Sequence, residues 1–193
     1  MSEFILASGS SRRHSLLNQL DLAYRISIPD INEMTEPNES PEIYVCRMAR
    51  SKALQVFETT EYDQSILAAD TIITLSNEII GKPIDVQHAK NILQKLSAAE
   101  HNVLTALYLK TQNENYKAIV KTKVKFRPLS SIEINAYCLT DEPYDKAGAY
   151  AIQGLASSFI EYISGSYTNV MGLPLLELTE LLRQAKLYDL NTV

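Results

Sequence analysis

The sequence predicts an α/β fold in one domain spanning residues 1–193, and three observations carry that prediction. Short runs of β-branched and other apolar residues alternate with segments of helical periodicity along the whole chain. No linker or low-complexity tract divides it. At 193 residues and 46% hydrophobic, it can bury a real core, with room for two lobes.

In chain order, Glu3 to Ser8 reads as a short strand, and Ser8-Gly9-Ser10-Ser11 is a small-residue turn. A helix follows, with Ser10 as N-cap and Leu16, Leu17 and Leu20 as its buried stripe. Arg12 and Arg13 fall in its first turn, against the positive end of the helix dipole. Free N–H groups, small serines and two guanidinium groups together make a phosphate cradle; the competing reading is two solvated surface arginines. The glycine pattern is not a Walker motif, because the Gly-Lys-Ser/Thr ending is missing. Tyr24 to Ile28 reads as a second strand. The acidic segment Pro29 to Glu39 carries Asp30, Glu33, Glu36 and Glu39, one of which could ligate a hard cation although loop carboxylates are usually solvated.

Ser40-Pro41 starts a long helix to about Glu58, with Ser as N-cap and Pro at the first position. Its apolar stripe is Val45, Met48, Ala49, Ala53 and Val56, and Lys52 lies on the same face. Either that lysine snorkels to water or it points over the core edge into an anion site. Ser65 to Pro83 then reads as a strand, a tight hairpin tip at Ser76-Asn77, a return through Ile79-Ile80 and a closing Gly81-Lys82-Pro83 turn. Asp70 sits inside this apolar run. A buried carboxylate is costly unless charge or hydrogen bonds meet it, which makes Asp70 the first candidate for chemistry, with a metal ion and phosphates as partners. The alternative is an Asp that only terminates a strand by bonding nearby backbone N–H groups.

Asp85 caps a helix to about Ser97, and Val103 to Leu109 and Ala118 to Phe126 read as two strands, the second with one solvated side bearing Lys121, Lys123 and Lys125. Ser130 and Glu133 form a capping box that opens a helix to about Leu139. Asp145 to Gly154 combines small residues, two glycines, Lys146 and the amide of Gln153; glycines admit a ligand close to the backbone, and a fixed amide can read a base edge. Taken alone, the stretch is equally readable as a plain turn. Ser158 to Ile163 reads as a strand, Gly165 to Asn169 as a loop, and Gly172-Leu173-Pro174 as the start of a last helix buried through Leu175, Leu178, Leu182 and Ala185; the tail after Tyr188 is expected to fray.

Composition removes several function classes. A net charge of −5 argues against nucleic-acid binding by bulk electrostatics. No apolar run reaches membrane-spanning length, and Phe4-Ile5-Leu6-Ala7 is too short for a signal-peptide core. Cys46 and Cys138 lack CxxC spacing and read as reduced core residues of a cytoplasmic protein; His14, His88 and His101 are dispersed.

Six of these segments, in this order, resemble the Maf family of nucleoside triphosphate pyrophosphatases: Ser8 to Arg13, Ala49 to Ala53, Ala69-Asp70-Thr71, Gly81-Lys82-Pro83, Asp145 to Tyr150 with Ile152-Gln153-Gly154, and Gly165-Ser166-Tyr167 followed by Gly172 to Leu175. The resemblance covers about residues 4 to 185. It implies an elongated central mixed β-sheet flanked by helices, in two lobes with a cleft. It implies cytoplasmic hydrolysis of a nucleoside triphosphate between the α and β phosphates, with a divalent cation, Mg²⁺ or Mn²⁺, and a homodimer; the acidic charge and the lack of a membrane-length apolar run leave nucleic acid and membrane out of the expected partners. By the same resemblance the active-site aspartate is Asp70, and Ser8, Arg12, Arg13, Lys52 and Lys82 bind the substrate. Glu33 and Asp70 lie on the metal side, and Arg12, Thr71 and Gln153 set specificity. Ser11 stands where the family commonly has proline. The Lys146-to-Tyr150 block with Gln153 resembles the dTTP/UTP branch; a 7-methyl-GTP branch carries an acidic residue instead of the glutamine. Rival readings are a 7-methyl-GTP or inosine-type triphosphate pyrophosphatase, and a regulatory binding protein in cell division. Whether Asp70 is a base, a metal ligand or both stays open at this level.

Overall fold

The computed structural model describes residues 3–60 and 64–188. Seven strands, β1 (Phe4–Ala7), β2 (Tyr24–Ser27), β3 (Ser65–Leu75), β4 (Glu78–Ile80), β5 (Glu100–Lys110), β6 (Asn115–Phe126) and β7 (Ile160–Ser164), join one mixed sheet in the order β2-β1-β3-β5-β6-β7, with β4 on β3. β1 runs parallel to β2 and to β3, whereas β4 and β7 are antiparallel to β3 and β6. Six helices accompany the strands: α1 (Ser11–Asn18), α2 (Pro41–Glu58), α3 (Val86–Leu96), α4 (Ser131–Tyr137), α5 (Tyr167–Val170) and α6 (Leu175–Gln184). Among the described residues no helix is long and apolar enough to cross a membrane.

Local chemistry sets most boundaries. The side chains of Ser10, Ser40, Asp85 and Ser130 each accept from the backbone N–H three residues on, and Ser130 with Glu133 completes the capping box. Pro41 takes the first position of α2, where its missing N–H costs nothing. Ser76 and Asn77 both adopt positive φ, 51° and 66°, which suits the twist of a two-residue hairpin and pairs Ile73 with Ile80.

The chain divides into two compact units. The first gathers residues 1–70, 105–120 and 172–193. In it, Ile5 and Ala7 of β1, Ala53 and Val56 of α2, and Ile66 and Ala68 of β3 pack together. The second gathers residues 71–104 and 121–171. Its core joins Ile92, Leu93 and Leu96 of α3 to an aromatic cluster in which Phe126 meets His101, Tyr150 and Phe159 at ring-centroid distances of 5.1, 4.8 and 6.1 Å.

Several sequence expectations need correction. β5 and β6 are longer than the apolar runs suggested, because both extend through polar residues that pair on the sheet. The strand expected from Ser158 begins at Ile160; Leu155–Phe159 is a 3₁₀ turn instead. Tyr167–Val170 is a short helix capped by Ser166 rather than a loop. In α6 the buried residues are Leu178, Leu181 and Leu182, while Leu175 and Ala185 are half-buried; Leu20 is half-buried too and lies beyond α1. Cys46 is exposed, since its place after Val45 turns it off the buried stripe of α2, whereas Cys138 is buried; both are free thiols. The expected fraying after Tyr188 lies outside the described residues.

Candidate functional site

In the first unit, β3 delivers Asp70 as a buried carboxylate, only 8% exposed. Its Oδ1 accepts a hydrogen bond from Lys52 Nζ at 2.6 Å, and the same ammonium lies 2.7 Å from Glu33 Oε1. The cost of burying a carboxylate is thereby met by a charge-assisted bond. Lys52 therefore does not snorkel. Helical spacing places it beside Ala49, Ala53 and Val56, and its stem crosses the core edge to reach the two carboxylates.

Glu33 arrives on an irregular loop that α2 holds in place. Tyr44 Oη donates to the Glu33 carbonyl at 2.8 Å, and Arg47 Nη2 donates to the Met34 carbonyl at 2.9 Å. Arg47 also grips the Glu39 carboxylate with Nε and Nη2, both at 2.6 Å. Gln55 bonds the Asp30 backbone both ways, accepting from its N–H at 2.8 Å and donating to its carbonyl at 2.5 Å. Burial, reinforced by the negative charges of Asp70 and Glu33, pushes the Tyr44 phenol up to about 12, so it remains a donor. Sequence reasoning missed Tyr44, Arg47 and Gln55. The available signal was helical spacing, which puts the three on one stripe of α2 next to the Lys52 face.

The serine turn before α1 is also organised. Arg13 Nη1 donates to Ser8 Oγ at 3.2 Å and Arg13 Nε to the Gly172 carbonyl at 2.8 Å, while Ser8 Oγ accepts the Ser10 N–H at 3.2 Å. Arg13 is thus not a solvated surface arginine. Desolvation pulls its guanidinium below its ordinary value and neighbouring Arg12 adds to this, whereas Asp70 and Glu33 act in the other direction. Arg12 is half-buried in the same helical turn.

Thr71, Lys82 and Gln153 belong to the second unit. Thr71 is half-buried in β3; Lys82 is exposed on the turn after β4; Gln153 is exposed in the turn before the 3₁₀ segment. The Gly148 N–H donates to the Gly81 carbonyl at 3.0 Å, which ties the Lys82 turn to the Lys146–Tyr150 stretch. Gly148 has φ 71°, so this close approach needs glycine. The structure thus brings together Lys52, Asp70 and Glu33, and separately Ser8, Arg13 and Gly172.

The donors fit a hard divalent cation. Asp70 and Glu33 flank Lys52 Nζ, and their oxygens, the donor type that Mg²⁺ and Mn²⁺ prefer, could hold such an ion beside the ammonium. No group of three or more His, Cys, Asp and Glu residues suited to a metal occurs among the described residues. Such an ion would take its other ligands from phosphates and water, as is usual for Mg²⁺ in phosphoryl chemistry.

The family described as Maf-like protein matches residues 3–185. A dTTP/UTP pyrophosphatase of Acinetobacter baylyi is 44% identical over 185 residues, covering 95% of this chain and 100% of its own. One from Escherichia coli is 45% identical over 182 residues, covering 94% and 92%. Among solved structures, the Staphylococcus aureus Ham1 protein aligns with 95% of this chain and 100% of its own at a TM-score of 0.52 and 12% identity, a likeness of fold alone. A family match over residues 3–185 and relatives 44–45% identical over nearly their full lengths show that this chain belongs to the Maf family.

Proposed function

We propose that the protein is a nucleoside triphosphate pyrophosphatase that hydrolyses dTTP and UTP between the α and β phosphates, releasing a monophosphate and pyrophosphate. The observation that carries the reading is Asp70 buried against Lys52, with Glu33 on the same ammonium. A structural carboxylate at a strand would be satisfied by backbone N–H groups. Here the partner is the Lys52 ammonium, which a second carboxylate shares, a set suited to a metal-bound triphosphate. Relatives that are 44–45% identical over nearly their full lengths carry the name dTTP/UTP pyrophosphatase.

In this mechanism Ser8, Arg12, Arg13, Lys52 and Lys82 bind the phosphates, and the N–H groups at the start of α1 add fixed dipoles. Arg13, held by Gly172 and Ser8 through Nε and Nη1, brings a fixed positive charge to the phosphates. Glu33 and Asp70 would hold the divalent cation, which when bound supplies charge neutralisation and a more acidic water. Asp70 would take the proton from the attacking water, and Lys52 would limit charge repulsion between the two carboxylates. Most of the rate gain then comes from positioning and electrostatics. Arg12, Thr71 and Gln153 set base preference: the Gln153 amide donates to O4 and accepts from N3–H of uracil or thymine.

A substrate panel of dTTP, UTP, CTP, 7-methyl-GTP and ITP, read by pyrophosphate release with and without EDTA, tests the reading. EDTA-sensitive hydrolysis favouring dTTP and UTP is expected. Preference for a purine triphosphate would move the substrate assignment to another branch, and no hydrolysis at all would favour a binding protein.

A further inference from the structure

A polar brace in the second unit fixes the turn that carries Gln153. Glu142 Oε2 accepts the Leu155 N–H at 2.8 Å, and Oε1 accepts the Ala156 N–H at 3.2 Å and the Tyr137 hydroxyl at 2.9 Å. The Gly154 N–H donates to the Ala151 carbonyl at 3.2 Å and closes the turn around Gln153. The turn is therefore closed on itself at Ala151 and Gly154, and held two and three residues after Gln153 through Glu142, which Tyr137 bonds in turn. Gly154 is part of the device: a Cβ there would sit on the Glu142 carboxylate, inside any van der Waals contact. Lys146 Nζ donates to the Glu142 carbonyl at 3.0 Å, and Tyr137 packs on Phe159 at 5.1 Å, so the brace is anchored on both sides. Gln153 itself is exposed.

We propose that Glu142, with Tyr137 behind it, is a positioning residue for base selection: it holds the Ala151–Ala156 turn so that the Gln153 amide is presented in one orientation. The proposal rests on the reading in which Gln153 recognises uracil and thymine. An exposed amide can rotate and serve either donor–acceptor pattern, so discrimination between the O4/N3–H edge of uracil and the N4–H₂/N3 edge of cytosine needs its backbone held still. The Glu142 carboxylate accepts three hydrogen bonds and donates none. Glu142→Gln keeps the shape but turns an NH₂ group against one of those donors in either amide orientation.

The test measures kcat/KM for UTP and CTP in the parent protein, Glu142→Gln, Tyr137→Phe, Gln153→Ala and the Glu142→Gln/Gln153→Ala pair. Glu142→Gln should lower the UTP/CTP ratio about tenfold and Tyr137→Phe about threefold, the scale of one or two lost hydrogen bonds. In the Gln153→Ala background Glu142→Gln should have no further effect on the ratio. A merely structural role would reduce both substrates alike and leave the ratio unmoved. If Gln153→Ala lowers the ratio but Glu142→Gln does not, the brace proposal is overturned and the base reading stands. If Gln153→Ala leaves the ratio unchanged, the base reading fails. The brace is then decided by amide hydrogen exchange at Leu155 and Ala156: exchange at least tenfold faster in Glu142→Gln supports it, and unchanged exchange overturns it.

Discussion

Acidification from about pH 7 to about pH 5 is expected to destabilise the protein through His101. This imidazole is 0% exposed, its Nε2 is 2.8 Å from the Tyr150 hydroxyl, and Phe126 and Tyr150 pack edge-on at 5.1 and 5.5 Å. Burial lowers its pKa from 6.5 to about 4, against a smaller opposing pull from Glu100. The folded value lies below the unfolded one, so the unfolded chain binds the proton first. The stabilisation is complete above about 6.5 and drains away as pH falls from there to about 4. Between pH 7 and 5 the linkage amounts to about 2 kcal/mol. Glu39, Glu100 and Glu133, whose carboxyls are held below their ordinary 4.5, lose their contribution only at lower pH, which leaves this window to the histidine. Urea unfolding at the two pH values measures it. His101→Gln, whose amide can still meet Tyr150, should lose most of the pH dependence whatever its own stability. An equal pH dependence in the parent and the variant would refute the reasoning.

Arg13→Lys keeps the charge but loses the fork that reaches Gly172 and Ser8, so kcat/KM for dTTP should fall at least about tenfold in steady-state assays. Tyr44→Phe removes the bond to the Glu33 carbonyl; the divalent-metal concentration giving half-maximal activity should rise about threefold to tenfold. Gly148→Ala combines a φ of 71° with a Cβ driven into the Ile73 side chain, so thermal unfolding should show a loss of about 1–3 kcal/mol. An unchanged melting temperature there would mean that the Gly81–Gly148 approach tolerates a side chain.

What was legible in the sequence was local. Ser10, Ser40, Asp85 and Ser130 announce helix starts because a cap needs only the next three residues. The hairpin tip at Ser76-Asn77 is equally self-contained. Asp70 stood out because a carboxylate in an apolar strand demands a partner, but the strand could not name it. Lys52 is 18 residues away and reaches it only through the packing of α2, and Arg13 finds the Gly172 carbonyl across 159 residues. The missed 3₁₀ turn at Leu155 follows the same logic. The Glu142 carboxylate takes the Leu155 and Ala156 N–H groups from 13 and 14 residues earlier and thereby delays β7 to Ile160. Branch-level substrate preference was carried by the family resemblance rather than by periodicity, since a glutamine in a glycine-rich turn has no pattern of its own.

The most direct test of the central claim is pyrophosphate release from dTTP by the parent protein and by Asp70→Asn, with saturating Mg²⁺. The substitution keeps the shape of the side chain beside Lys52 but removes the charge that would hold the cation and accept the proton. The account predicts pyrophosphate as the product and a loss of about 10²–10⁴ in kcat for the variant. Near-normal pyrophosphate release by Asp70→Asn, or orthophosphate as the primary product of the parent, would contradict it.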